Sequence, residues 1–311
     1  KTKQCSNRSR RRFGVELELS NIDELLDLAK SGDRRSLSRL LTEIEQSQDP
    51  QKLHSESIWT LGVTGPPGSG KSTLIGKLAK HWSDLGESVA VLALDPTSPI
   101  SGGSFLADRI RMEGSDIGEK VFVRSIASGN SPGGISPRIW PMCHALSLCG
   151  WSRIVVETVG TGQSEFRIAA LADRLLLVDG PDRGDIIQAE KAGILELADI
   201  IAVNKSDLPG SSLAAQSIRT SLDLTDGDSR EVLLVSALEG SGIEKLASTI
   251  DSCEPNSGRN EVIMREMLIS EWDSVLLSHP EIDEVIRKLC DSSITIGDAI
   301  DSLRKTSLNG R

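Results

Sequence analysis

Three groups of residues have types and spacing that can do chemistry together. The first is Gly65-Pro66-Pro67-Gly68-Ser69-Gly70-Lys71-Ser72-Thr73, with the spacing G-x-x-x-x-G-K-S. Glycines let successive backbone N–H groups turn inward around phosphate oxygens. A helix starting here adds its positive dipole end. Lys71 can reach the β- and γ-phosphates, and the Ser72 hydroxyl can ligate Mg²⁺. The second group is Asn204-Lys205-Ser206-Asp207. Asp207 can accept from N1–H and the 2-amino group of guanine, and adenine offers neither. Hydrogen bonds to charged groups are worth about 1.5–3 kcal/mol each, enough for roughly 10²-fold discrimination. Lys205 is expected to lay its stem over the base. Ser236-Ala237-Leu238 stands where a backbone contact to guanine O6 is expected. The third group is acidic. Asp95 and Glu157 each end an apolar run, where an acid can hold or orient Mg²⁺ and its water. Gly160 can then donate its N–H to the γ-phosphate and move when that group leaves.

Positioning these groups requires a particular framework. Apolar runs at 58–64, 88–94, 120–124, 153–157, 174–179, 199–204 and 231–235 read as strands, with helical stretches between most of them. They lack strict alternation, as strands buried on both faces do. The fold class is therefore α/β: a doubly wound, mostly parallel sheet with helical extensions at both ends. Ligands bind such sheets at the carboxyl ends of the strands, where the motifs must converge. The expected organisation is a disordered basic arm (1–19, with Arg8, Arg10, Arg11 and Arg12), an N-terminal helical extension (20–52), a P-loop domain (53–255) and a C-terminal helical extension (256–311). A targeting-peptide remnant is the alternative for the arm.

Within the N-terminal extension, Ile22, Leu25, Leu26 and Ala29 share one helical face. Leu37, Leu40, Leu41 and Ile44 share another, beyond a break at Ser31-Gly32-Asp33. Residues 125–138, dense in Gly, Ser and Pro, read as a long loop with the composition of a phosphate-sensing switch. Gly180 to Asp185 forms a second polar loop. Residues 258–306 read as helical, with apolar stripes through Leu268, Trp272 and Leu277 and through Ile282, Val285, Ile286 and Leu289. Such stripes form core or bury a subunit contact.

Composition narrows the partners. Net charge is −10 and the pI about 5.1, a poor balance for non-specific nucleic-acid binding. No Tyr and four Phe leave no base-stacking platform. No apolar run reaches the length of a membrane span. Neither nucleic acid nor membrane is an expected partner. Cys5, Cys143, Cys149, Cys253 and Cys290 form no C-x-x-C and read as reduced thiols. The expected location is cytoplasmic, or the mitochondrial matrix if the source is eukaryotic.

Taken together, the motifs resemble one family: the GTPase metallochaperones associated with methylmalonyl-CoA mutase, long described as arginine/ornithine transport ATPases. They share a GTPase class with the signal-recognition and nickel-insertion GTPases. The matching text is GVTGPPGSGKSTL, ALDPTSPISGGSFLADRIRM, VFVRSIASGNSPGGIS, IVVETVGTGQSE and GDIIQAEKAGILELADIIAVNKSD, within a likeness from about residue 20 to 306. The run at 93–112 is nearly diagnostic. The resemblance implies a homodimer and Mg²⁺-dependent hydrolysis of GTP to GDP. It implies that this hydrolysis gates adenosylcobalamin delivery to an acyl-CoA mutase and protects that mutase. It places Lys71 on phosphate, Ser72, Asp95 and Asp108 in the Mg²⁺ region, and Glu157 in the hydrolytic site. Asp108 carries no such signal without the resemblance. Nor do Gln188 and Lys191, which fall in a third switch, 180–191, that meets the partner. Two residues depart from the family pattern: Ile186 replaces an acid in the third switch, and Thr161 replaces a common Val in the second.

Two other readings compete. A P-loop kinase would use the same phosphate loop, but gains nothing from guanine selectivity. A nickel-insertion GTPase would want clustered Cys and His. Here His54, His81, His144 and His279 are dispersed, and Cys143-His144 reads as helix filler.

Overall fold

The computed structural model describes residues 22–47, 58–95, 119–127, 138–158, 171–181, 188–224, 230–255 and 279–308, with isolated positions between them. The chain opens with α1 (22–30) and α2 (Arg34–Gln46). Strands and helices then alternate: β1 (Thr60–Thr64), α3 (Lys71–Asp84), β2 (Val89–Asp95), β3 (Val121–Ala127), α4 (Ile139–Leu148), β4 (Arg153–Glu157), β5 (Arg174–Asp179), α5 (Gln188–Leu197), β6 (Ile200–Val203), α6 (Ser211–Leu222), β7 (Val232–Leu234) and α7 (Ile243–Ser252). Helices α8 (Ile282–Cys290) and α9 (Ile296–Leu308) follow.

The seven strands form one sheet in the order β3-β2-β4-β1-β5-β6-β7, and every recorded pairing is parallel. Successive side chains point to opposite faces, and both faces are covered. In β4, Ile154 and Val156 join a core with α1, α2, α4, α5 and α6, while Val155 joins one with α3 and α7. That double burial explains why the sequence shows runs rather than alternation. Each fully buried Leu or Ile stabilises the fold by roughly 1.5–3 kcal/mol.

The N-terminal hairpin follows its sequence pattern. Asp33 caps α2, its carboxylate accepting from the N–H groups of Arg35 (3.1 Å) and Ser36 (3.2 Å). Leu37, Leu40, Leu41 and Ile44 are buried in the same core as β2 and β4. Arg124 of β3 fixes the hairpin to the sheet, donating to Ser38 O (2.9 Å), Thr42 Oγ1 (3.1 Å) and Glu45 Oε2 (2.7 Å).

One expectation needs correction. Strand β3 runs to Ala127, three residues past its expected end, so Ser125 to Ala127 are not loop. Their own β-propensity is weak, but they pair in register with Ala93, Leu94 and Asp95 of β2. Neighbouring strands override local preference. The remaining loop, 128–137, lies outside the described residues. The C-terminal stripes divide between the two expectations given for them. Val285, Ala299 and Leu303 pack together, whereas Leu268, Trp272, Leu277 and Ile286 are exposed.

Candidate nucleotide site

The crossover from β1 leads toward β2 on one side of the sheet, and that from β5 toward β6 on the other. The winding reverses between β1 and β5, so a crevice opens at their carboxyl ends. Residues 65–70 lie there, between β1 and the first turn of α3.

Two glycines in this loop are required by geometry. Gly65 has φ +136°, and a Cβ on it would stand 2.0 Å from Val178 O of β5. Gly70 has φ +85°, and a Cβ on it would stand 2.4 Å from Asn204 Nδ2. The loop is thus pressed against the ends of β5 and β6. Pro67 and Gly68 are exposed and Ser69 is buried. Lys71 is buried, its Nζ donating to Gly65 O (2.7 Å) and Pro66 O (3.0 Å). Its ammonium therefore stands inside the loop's own curve. Thr73 is half-buried in the first turn of α3.

Glu157 ends β4 beside β1 and is buried. It accepts from Ser72 Oγ at 2.6 Å. A hydroxyl and a carboxylate at that spacing form a hard-oxygen donor set of the kind Mg²⁺ takes, so these residues fit the expected ion. The next residue, Thr158, donates its N–H to Val63 O (3.0 Å), and its Oγ1 lies 3.1 Å from Thr64 Oγ1.

Asn204 proves to be a hub. It is buried at the end of β6, and its Nδ2 donates to Ser69 O (2.9 Å). Its Oδ1 accepts from Ala237 N (3.0 Å), and its own N–H donates to Asp179 O (2.8 Å). One carboxamide therefore joins the phosphate loop, the Asn-Lys-Ser-Asp turn and the Ser-Ala-Leu segment. Lys205 takes the left-handed conformation at φ 61°, turning the chain outward. Asp207 is exposed, and its Oδ1 accepts from the buried Ser236 hydroxyl. Ser236 Oγ accepts in turn from Glu239 N at 3.1 Å. Ala237 is buried and the Leu238 side chain exposed.

The fold thus brings together residues 65–73, Glu157, Asn204, Lys205, Asp207 and the Ser-Ala-Leu segment. Asp95 ends β2 opposite Ala127. Gln188 and Lys191 lie on α5. Asp108, Gly160, Thr161 and Ile186 lie outside the described residues. The sequence carries no signal for the Asn204 staple or for Thr64 and Thr158, because their contacts cross between strands distant in the chain. The Cys143-His144 pair is structural. His144 Nδ1 accepts from Ser55 N at 2.8 Å, and its ring meets Trp140 edge-on. Burial pushes the Cys143 thiol up to about 12. No described helix is long and apolar enough to cross a membrane.

The chain is similar to known proteins. The family model for the methylmalonyl-CoA mutase-associated GTPase MeaB matches residues 38–268. A Pyrococcus abyssi protein, named a candidate GTPase, is 35% identical over 93% of this chain and 98% of its own. GTPase ArgK of Escherichia coli is 30% identical over 81% of this chain and 82% of its own. The mouse methylmalonic aciduria type A homolog, a mitochondrial protein, is 30% identical over 88% of this chain and 72% of its own. A solved structure, a LAO/AO transport system kinase, covers 93% of this chain and 98% of its own with a TM-score of 0.59 at 22% identity, a likeness of fold. With the model match and these relatives spanning most of its length, the chain belongs to the methylmalonyl-CoA mutase-associated GTPase family, MeaB.

Proposed function

We propose that this protein binds GTP with Mg²⁺, hydrolyses it to GDP and phosphate, and acts as a chaperone for an adenosylcobalamin-dependent acyl-CoA mutase. The observation that carries the reading is the Asn204 carboxamide, which ties the phosphate loop to both segments expected around a guanine. A protein selecting its base needs that tie, because it fixes the distance from base reader to phosphate cradle. Lys71 and the loop N–H groups hold the phosphates. Asp207, held by Ser236, reads the guanine edge. Ser72 and Glu157 would hold Mg²⁺, with Asp95 and Asp108 in the same region by family likeness. When bound, the ion would supply charge neutralisation at the phosphate oxygens. Glu157 also orients the attacking water. Hydrolysis then rests on positioning and charge neutralisation, so a partner that orders the surrounding loops raises the rate.

The family and the mouse relative both carry the mutase in their names, which supports that class of client. The exposed Leu268, Trp272, Leu277 and Ile286 support a homodimer joined through the C-terminal helices. Cys143, Cys149 and Cys290 are thiols outside any disulfide, which fits a reducing, cytoplasmic-type compartment. The test is phosphate release from GTP and ATP, with and without a purified acyl-CoA mutase. GTP preference and stimulation by the mutase are expected. ATP preference would refute the guanine assignment. Unchanged turnover across a panel of such mutases would refute the client.

A further inference from the structure

We infer that Thr158, clasped to Thr64, is a positioning residue for hydrolysis: it sets the tip of β4 that carries Glu157. The inference rests on the hydrolase reading above. Glu157 and Thr158 are consecutive, so their side chains leave opposite faces of the sheet. Glu157 is on the α3 side, where it meets Ser72 at 2.6 Å. Thr158 is on the other side, the side of Ile154 and Val156.

The β1–β4 ladder reaches its last register pair at Val63 and Glu157. One residue further, Thr158 still holds β1, through its N–H to Val63 O (3.0 Å) and its hydroxyl 3.1 Å from Thr64 Oγ1. Thr64 is 0% exposed and Thr158 1% exposed. Valine has nearly the volume of threonine, and apolar side chains (Leu61, Val63, Ile154, Val155 and Val156) fill much of these strands. A hydroxyl pair at that depth must be partnered, and it fixes orientation as an apolar contact does not. The Glu157 backbone is therefore held from both sides, by the ladder before it and the clasp after it. Thr64 also directly precedes the phosphate loop, so the clasp ties the carboxylate's strand to the root of that loop.

The test compares Thr158→Val, Thr158→Ser, Thr64→Val and the double variant Thr64→Val/Thr158→Val. Three quantities are measured: affinity for a non-hydrolysable GTP analogue with Mg²⁺, single-turnover GTP hydrolysis, and thermal stability. Small misplacements of a reacting group cost rate steeply. Thr158→Val is expected to slow hydrolysis about tenfold or more while analogue affinity stays within about threefold. Thr158→Ser restores the rate. The double variant is no slower than the single ones, because both break one contact. If Thr158→Val does not fold, Thr64→Val carries the same prediction. Hydrolysis at the wild-type rate in both folded valine variants overturns the inference alone. So does a loss of analogue affinity in parallel with rate, the signature of a merely structural pair. Wild-type protein that binds GTP without hydrolysing it overturns the hydrolase reading, and the inference with it.

Discussion

The hydroxyl of Ser72 donates to the carboxylate of Glu157 across 2.6 Å, joining the first turn of α3 to the tip of β4. The two residues are far apart in the chain and meet only because β4 lies directly beside β1. Glu157→Gln keeps an oxygen to accept from Ser72 and removes the charge. We expect GTP hydrolysis to fall by about 10² or more, with nucleotide affinity changed only several-fold. Single-turnover assays and calorimetry separate the two. Equal losses in both would make Glu157 a binding group only.

Asn204→Ala removes the donor to Ser69 O and strands the buried N–H of Ala237. An unsatisfied buried donor costs about 1–3 kcal/mol. The variant should lose about that much unfolding free energy, seen as a lower urea midpoint, and bind GTP more weakly, since the glycine loop and the proposed base reader lose their common anchor. Urea melts and calorimetry check both. Unchanged stability would show that the staple is not needed.

Asp207→Asn should move base preference from guanine toward xanthine. The Ser236 hydroxyl can keep Oδ1 of the new side chain and leave its amide N–H for the xanthine 2-oxo group. Competition between GTP and xanthosine triphosphate measures the change, expected to exceed about tenfold in the affinity ratio. A preserved GTP preference would remove Asp207 from the base site.

The buried thiols should resist alkylation in the native protein. Burial raises Cys143 to about 12 and Cys149 to about 11, the latter despite the nearby Lys30 charge. At pH 8 the Cys143 thiol therefore stays protonated, and only the thiolate reacts. Among the described cysteines, native labelling followed by peptide mass analysis should find Cys290, which is exposed, modified first. Cys143 should react only after unfolding. Early modification of Cys143 would mean that the α4 core opens locally.

Much of the site is legible in the amino-acid sequence. The glycine loop, the Asn-Lys-Ser-Asp turn and Glu157 announce themselves because chemistry requires those residue types at short, fixed spacing. The strands show as apolar runs, and β4 and β5 match their expected bounds. What stays hidden depends on neighbours distant in the chain. Ser125 to Ala127 look like loop until β2 lies beside them. Asn204 looks like a base reader alone until its carboxamide is seen to reach Ser69. Thr158 carries no motif letter, and its partner Thr64 comes more than ninety residues earlier. The apolar stripes near the C-terminus have the period of a buried helix, but periodicity does not say what buries them.

The docking of α1 and α2 has a practical consequence. Leu40, Leu41 and Ile44 share a core with Leu92 and Val156 of the sheet. A shortened protein starting at Thr60 would leave that greasy wall of the sheet wet, and chains so stripped would clump. Helices α1 and α2 are thus a wall of the sheet domain, and a portion that keeps that core dry begins upstream of β1.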